Sequence, residues 1–136
     1  MGLSDYGAYL RRIGLSGRPD WAALHRAHAT TVPFENLDPV GGRPVSLALA
    51  DLEAKLVANR RGGYCFEHNL LFAAALTSAG IADVDLLLAR VRHGRAPTAS
   101  RPRTHLVLRV TVDGREEHAV AIWRRHPTTV LTGRIQ

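Results

Sequence analysis

The chain has 136 residues, of which 46% are hydrophobic and 22% charged, a composition typical of a folded globular protein rather than a disordered one. The formal net charge is +6, carried mostly by arginines spread along the sequence. A nucleic-acid-binding surface would show a clustered basic stripe, so we expect no nucleic-acid partner. The spread of arginines is compatible with attraction to an anionic small molecule, and equally with a coding bias that serves no function.

The cysteine content and the N-terminus bear on the cellular compartment. Cys65 is the only cysteine, so no intramolecular disulfide can form, which fits a reducing cytoplasm. The first ten residues include Asp5 and lack the apolar centre of a signal peptide. No segment approaches the roughly 20 apolar residues of a membrane span. We therefore expect a cytoplasmic protein with no membrane partner.

Apolar residues recur at helical spacing in the first part of the chain. The first helix is predicted to be capped by Ser4 and to end at Gly14. The second is predicted to start after a cap at Asp20 and to close at Pro33. A third helix is predicted over residues 49–59.

Two glycine pairs interrupt this helical pattern. Residues 32–42 contain two prolines and one glycine pair, and predict an extended loop. The second pair, Gly62 and Gly63, ends the third helix, and a fourth helix runs on to Gly80. Cys65 therefore falls at or just inside the N-terminus of the fourth helix.

Beyond residue 80 the hydrophobic period changes to that of a β-strand. Strands are predicted over residues 84–91, 105–112 and 117–123, with a tight hairpin at Asp113 and Gly114. Helices followed by antiparallel strands predict an α+β fold. We expect a helical bundle over residues 1–80, strands within residues 81–123 and an irregular tail at residues 124–136.

Cys65 is the candidate nucleophile. A thiol attacks only as its thiolate, and a helix N-terminus stabilises that anion through its unpaired N–H groups. The adjacent Arg60 and Arg61 add positive potential, and the glycines before Cys65 would let a substrate approach the backbone. A buried, inert cysteine explains the same spacing, and the residues alone leave the two interpretations balanced.

A thiol nucleophile needs a base, and His105 is the best candidate. It opens the strongest predicted strand, on the face opposite the apolar side chains, where it could stay partly solvated. A surface or core histidine is the alternative. His68 could contact Cys65 from the same helix, but no second pair has metal-ligand spacing, so we expect no metal. The remaining histidines show no convincing partner and are predicted to be surface or packing residues: His25, His28, His93, His118 and His126.

Two motifs resemble those of the arylamine N-acetyltransferases. They are VPFENLD at residues 32–38 and RRGGYCFEHN at residues 60–69. The resemblance extends to Arg103-Thr104-His105 before an apolar strand and to a Tyr-x-x-x-Ile-Gly opening at residues 9–14. It implies an N-terminal helical bundle, a β-barrel and an α/β lid around a cysteine-protease-like core. In this chain the antiparallel β-barrel would be incomplete.

The resemblance also implies a reaction. Cys65 would take acetyl from acetyl-CoA as a thioester, with His105 as general base, and Phe34 would help line the pocket. An arylamine, arylhydrazine or N-hydroxyarylamine would then attack the thioester. Acetyl-CoA would be the acetyl-donor substrate, and no metal is implied. Three further motif residues are interpreted as structural, or as residues that hold the catalytic side chains in place without contacting the substrate. They are Glu35, Asn36 and Glu67.

The chain departs from the family's pattern after the hairpin. Ala119 stands where the family places an aspartate, the third catalytic residue, and the Val-Gly-Phe-Gly run that should follow is missing. A truncated or frame-shifted reading, or true divergence, would explain this. Three carboxylates of the hairpin could replace the missing aspartate only if they turned away from solvent. They are Asp113, Glu116 and Glu117.

Two alternative functions stay open. A cysteine hydrolase or thioesterase would use the same Cys65–His105 pair with water as acceptor. A non-catalytic remnant would use neither residue. The sequence leaves the acceptor preference and the oligomeric state undetermined.

Overall fold

The structure is a computed structural model that describes residues 1–81, 83–90 and 102–119. Helices precede strands, so the predicted mixture of helix and sheet is confirmed. The helices are α1 (Tyr6–Arg12), α2 (Trp21–Thr31), α3 (Leu37–Val40), α4 (Leu49–Leu52), a π-helical continuation of α4 (Glu53–Ala58), and α5 (Cys65–Ser78). The strands are β1 (Val84–Ala89), β2 (His105–Val112) and β3 (Arg115–Ala119).

Several predictions concern residues outside the described part of the chain. These are the tail at residues 124–136, the last residues of the third predicted strand, and the side chains of His93, His118 and His126. The division into a bundle, barrel strands and a tail remains a prediction.

One hydrophobic core joins the helices to the sheet. Helix α5 lies at its centre, with buried residues on several faces, as expected of a helix surrounded by protein. Because other elements enclose α5, packing fixes the position of Cys65, its first residue. The largest apolar core side chains are at most 1% exposed: Tyr9, Leu24, Leu52, Leu56, Leu71, Phe72, Leu76, Leu108 and Val110.

The described strands form an open antiparallel sheet in the order β1-β2-β3. Asp113 and Gly114 both have positive φ angles, 50° and 74°, as a two-residue type I′ turn requires, so the predicted hairpin is confirmed. This short turn makes Val112 and Arg115 the first pair, and β3 therefore begins two residues before the predicted start. Whether the sheet continues into a barrel remains a prediction.

The predicted N-cap of α1 is wrong by one residue. The Asp5 carboxylate accepts a hydrogen bond from the backbone N–H of Ala8 at 2.8 Å, which makes Asp5 the cap. Ser4 is engaged elsewhere, since its backbone N–H and its hydroxyl both donate to the Glu53 carboxylate. The predicted cap of α2 is confirmed, because Asp20 accepts from Ala23 N at 2.8 Å.

Two local predictions were incomplete. Residues 37–40 form one helical turn inside the segment predicted as an extended loop. Pro39 is compatible with this turn, because the N–H groups of a first helical turn have no partner within the helix. The third predicted helix starts at Leu49 as expected, but its second half is π-helical and ends at Ala58, one residue before the predicted end. It ends before Arg60, whose φ of 53° is left-handed.

A buried chain of hydrogen bonds joins α1, α2 and α5. The Tyr9 hydroxyl lies 2.8 Å from His28 Nδ1, and His28 Nε2 lies 3.1 Å from His68 Nδ1. His68 Nε2 donates to the carbonyl oxygen of Pro33 at 2.9 Å. Two specific polar partners therefore surround His28, so the prediction that it had none was wrong.

The carbonyl at the end of this chain fixes the direction of every bond. Pro33 O can only accept, so the neutral His68 carries its proton on Nε2 and accepts at Nδ1. His28 then donates from Nε2 and accepts at Nδ1 from the Tyr9 hydroxyl. Burial lowers the pKa of His28 well below its usual value, and the neighbouring His68 lowers it further. The buried hydrogen bonds and the lowered pKa together favour the neutral form of His28.

We expect the free energy of unfolding to fall as the pH drops below about 6.5, the pKa of a histidine in the unfolded chain. The folded pKa of His28 lies lower, so between the two values the unfolded state binds more protons and acid favours unfolding. One such group gives a slope of at most about 1.4 kcal/mol per pH unit. Urea unfolding of wild type and His28→Gln between pH 7.5 and 5 measures this slope. An equal pH dependence in both proteins would contradict the assignment.

Candidate active site

Helix α5 begins at Cys65, as predicted from the sequence. Tyr64 is the N-cap residue, and the Glu67 carboxylate accepts a hydrogen bond from its backbone N–H at 2.9 Å. The Cys65 side chain is 6% exposed, and its thiol contacts the carbonyl oxygen of Thr104 at 3.9 Å. The sulfur therefore sits at a helix N-terminus and against the residue that precedes β2.

A buried asparagine ties this end of α5 to the start of β2. The Asn69 side-chain amide donates to Cys65 O at 2.9 Å and to Leu106 O at 2.8 Å. His105 lies between Thr104 and Leu106, both of which contact the first two turns of α5. The structure thus brings the candidate nucleophile and the candidate base to one junction. His105 is 9% exposed, so it is more buried than the expected partly solvated position.

Asn69 holds the site together without having been predicted from the sequence to do so. A signal was available, because Asn69 lies four residues after Cys65 and so on the same face of the helix. A polar side chain on the core-facing side of an apolar helix needs a hydrogen-bond partner. The identity of that partner, a carbonyl of β2, depended on tertiary packing.

The glycine pair before Cys65 is required by close packing. A Cβ atom on Gly62 would lie 2.2 Å from Pro33 O, and one on Gly63 would lie 2.6 Å from a Glu67 carboxylate oxygen. Backbone bonds hold the segments together, from Gly63 N to Pro33 O at 3.2 Å and from Glu35 N to Gly63 O at 2.9 Å. Packing within the protein therefore already requires glycine at both positions, and the approach of a substrate to this backbone stays a prediction.

A cluster of ion pairs lies beside the start of α5. Lys55 Nζ contacts Asp38 at 2.8 Å and Glu67 at 2.5 Å. Arg61 and Arg43 contact the other oxygen of Asp38, at 2.7 and 3.0 Å. Hydrogen bonds from Arg61 and Lys55 hold the pKa of Asp38 far below its usual value. Arg61 therefore belongs to an ion pair, and Glu67 takes the structural role predicted as one of its two options.

The segment that carries Phe34 packs against the residues that precede α5. Phe34 pairs with Gly63 in an isolated β-bridge, and its ring centroid lies 6.0 Å from that of His68. The Phe34 side chain is 55% exposed and borders a shallow cavity of about 420 Å³ with residues 29–33. An exposed aromatic face thus lies next to the helix of Cys65. Glu35 and Asn36 follow it and start α3, where the Glu35 carboxylate accepts from Leu37 N at 2.9 Å.

The hairpin carboxylates lie far from His105. Asp113 is in the turn, and Glu116 and Glu117 are exposed on β3. Glu117 pairs with Val110, which is five residues, or about 16 Å, along β2 from His105. These carboxylates therefore cannot take the place of the aspartate that is expected at position 119, where this chain has alanine.

The described part of the chain holds neither a cluster of metal ligands nor a membrane-spanning helix. In residues 1–81, 83–90 and 102–119, no three side chains among histidine, cysteine, aspartate and glutamate are grouped closely enough to hold a metal ion. In the same residues, no helix has the length and apolar character needed to cross a membrane.

Comparison with known sequences identifies relatives along most of the chain. A family model described as N-acetyltransferase matches residues 20–118. The arylamine N-acetyltransferase of Mycolicibacterium smegmatis is 50% identical over 117 residues, which cover 81% of this chain and 42% of the relative. A Salmonella typhimurium protein, named arylamine N-acetyltransferase / N-hydroxyarylamine O-acetyltransferase, is 48% identical over 90 residues, covering 66% of this chain and 31% of the relative.

Solved structures give the same result for the fold. The arylamine N-acetyltransferase from Salmonella typhimurium superimposes with a TM-score of 0.79 at 39% identity, over 93% of this chain and 47% of that structure. The Mycobacterium marinum enzyme in complex with CoA superimposes with a TM-score of 0.71 at 40% identity, over 81% of this chain and 42% of that structure. The chain spans less than half the length of each of these relatives. By sequence and by fold, it belongs to the N-acetyltransferase family, and its relatives named here are arylamine N-acetyltransferases.

Proposed function

We propose that this chain carries the acetyl-accepting site of an arylamine N-acetyltransferase, with Cys65 as nucleophile and His105 as general base. One observation carries the proposal: the sulfur at the first residue of α5 contacts the residue that precedes His105. Membership of the family and the CoA complex of the Mycobacterium marinum relative support acetyl-CoA as the donor.

The first half-reaction charges the enzyme. His105 takes the proton from the Cys65 thiol, and the N-terminal N–H groups of α5 stabilise the thiolate. The thiolate attacks the thioester carbon of acetyl-CoA, and the bond from that carbon to the CoA sulfur breaks. The CoA sulfur leaves with the proton held by His105. The product is an acetyl thioester on Cys65.

The second half-reaction transfers the acetyl group to an aromatic amine. The amine nitrogen attacks the Cys65 thioester, its proton passes to His105, and the sulfur is released and reprotonated. Phe34 offers an exposed ring beside the helix of the nucleophile, where it can stack on the ring of the acceptor. An arylamine, arylhydrazine or N-hydroxyarylamine is the proposed acceptor.

Alanine at position 119 leads us to expect slow turnover in acetyl transfer. The third residue of a catalytic triad orients the imidazole, and its loss in triad enzymes costs about four orders of magnitude in kcat. A single acetylation of the protein is therefore a more sensitive test than multiple turnover.

We expect wild-type protein incubated with acetyl-CoA to gain one acetyl group on Cys65, and Cys65→Ala to gain none. Intact-protein mass spectrometry, followed by peptide mapping, measures both. Wild-type protein that never carries acetyl on Cys65 would contradict the proposed first half-reaction and favour a non-catalytic chain.

We expect His105→Gln to slow acetyl uptake by about 10²- to 10⁴-fold, the range typical of a lost general base. His25→Gln is the matched control, because His25 is a partly buried histidine of α2 that stacks on Trp21. This control should charge at the wild-type rate. Equal rates for His105→Gln and wild type would remove His105 from the mechanism.

We expect Phe34→Ala to take up acetyl at the wild-type rate. It should need a higher arylamine concentration to transfer that acetyl group, because the stacking surface for the amine is lost. Discharge is measured by the loss of protein-bound acetyl against arylamine concentration. Discharge at the same rate with and without amine would indicate hydrolysis, the reaction of a thioesterase. An unchanged amine dependence would place the acceptor away from Phe34.

A further inference from the structure

Lys55 is the only lysine among the 18 lysines and arginines of the chain, and it occupies a mostly buried position. Its ammonium group bridges the carboxylates of Asp38 and Glu67, which belong to different elements. Burial alone lowers the pKa of Lys55, but its hydrogen bonds to Asp38 and Glu67 raise it overall. Lys55 is therefore held as a cation between two anions.

Glu67 brings a negative charge to the end of α5 that Cys65 occupies. It is 1% exposed, lies two residues after Cys65, and accepts from the backbone N–H of Tyr64, immediately before Cys65. A thiolate on Cys65 would depend on the same helix N-terminus. An uncompensated Glu67 would oppose that thiolate, because two negative charges at one helix end repel each other.

Tyr64, the N-cap residue of α5, lies beside the same charged groups. Burial raises the pKa of the Tyr64 hydroxyl, and Glu67 and Cys65 raise it further, whereas Lys55 lowers it. Glu67 and Lys55 therefore act in opposite directions on the hydroxyl of the residue next to Cys65.

Other charged groups face the same region and must stay constant in any test. Among the described residues these groups include the following: Asp38 of α3, Glu35 and Arg43 on either side of α3, Lys55 of the π-helical segment, Arg61 and Tyr64 before α5, Glu67 and His68 of α5, and His105 of β2. Changing only Lys55 or Glu67 leaves the rest in place.

We propose that Lys55 is a positioning residue that neutralises the buried Glu67 carboxylate and so keeps the N-terminus of α5 able to stabilise a Cys65 thiolate. The inference rests on the proposed role of Cys65 as nucleophile. A compact ammonium group suits this task, because its three rotatable donors can serve carboxylates in two directions. A purely structural ion pair is the competing explanation.

The test measures how the alkylation of Cys65 by iodoacetamide depends on pH. Cys65 is the only cysteine, so no other thiol contributes. The midpoint of the pH–rate curve reports thiolate formation, whereas a change in access alters the rate at every pH without moving the midpoint. A merely structural role would therefore leave the midpoint where it is.

We expect opposite shifts in two variants. Glu67→Gln keeps an oxygen for Tyr64 N and leaves Lys55 paired with Asp38, but it removes the carboxylate charge nearest Cys65 along α5. The midpoint should therefore fall by about 0.5 to 1 pH unit, or about 3- to 10-fold in rate below the midpoint. Lys55→Met should raise the midpoint, and the double variant should return close to wild type. Lys55→Arg keeps the charge and should stay within the wild-type range.

Arg11→Met is the matched control. It removes the same charge from an exposed ion pair on α1, where salt and solvent screen it, so the midpoint should not move. Glu67→Gln with an unchanged or raised midpoint would overturn the proposal. So would shifts of Lys55→Met and Glu67→Gln in the same direction. If Lys55→Met does not fold, Glu67→Gln and the double variant decide.

The readout is separate from acetyl transfer. Opposite shifts without acetyl uptake would sustain the electrostatic role of Lys55 and reject the proposed reaction. Acetyl uptake with unmoved midpoints would reject the role of Lys55 and leave the reaction intact.

Discussion

The packing of two glycines against the Pro33 segment determines where helix α5 begins, and every other feature of the site depends on that point. Gly62 faces the Pro33 carbonyl at a distance that leaves no room for a Cβ atom, and Gly63 makes room in the same way for the carboxylate of Glu67. Because both contacts are with parts of the protein itself, a larger residue at either position would displace the start of α5. Cys65 would then lose its place at the helix N-terminus and its contact with Thr104.

Three consecutive residues of α5 attach this helix end to three different elements. Glu67 binds Lys55 of the π-helical segment, His68 binds the Pro33 carbonyl and His28 of α2, and Asn69 binds the carbonyl of Leu106 in β2. Successive helical residues point about 100° apart, so these bonds leave the helix in different directions and hold it against tilting. Buried polar groups destabilise a core unless they are paired, and the three named here are paired. Their value lies in fixing one geometry, which an apolar core of equal volume would define less sharply.

The sequence predicted the features that depend on local signals. The start of α5 followed from a glycine pair, the bounds of β2 from alternating hydrophobicity, and the hairpin from Asp113 and Gly114, whose positive φ angles are a local requirement. The partners of His28, Asn69 and Lys55 did not follow, because those residues bind groups brought near by tertiary packing. The Ser4 cap failed for the same reason, since Glu53 of a distant helix takes its hydrogen bonds. Motif resemblance identified the candidate site residues, but the packing supplied the reason for the glycines.

Ala119 makes the positioning of His105 the central question for the proposed chemistry. In a triad the carboxylate orients the imidazole, and this chain has alanine where that carboxylate is expected. The backbone on both sides of His105 is nevertheless held by α5, through the thiol of Cys65 at Thr104 and the amide of Asn69 at Leu106. Those contacts fix where the histidine's backbone lies relative to the sulfur, although they do not choose the tautomer of its ring. The two half-reactions therefore differ in what they demand of this site. In the proposed reaction, acetyl uptake needs a thiolate, which the helix N-terminus would stabilise once His105 has taken the thiol proton. Attack by an amine has no such support and would rely on an imidazole in the correct tautomer to take the proton. On this reasoning the absent carboxylate weakens the second half-reaction more than the first.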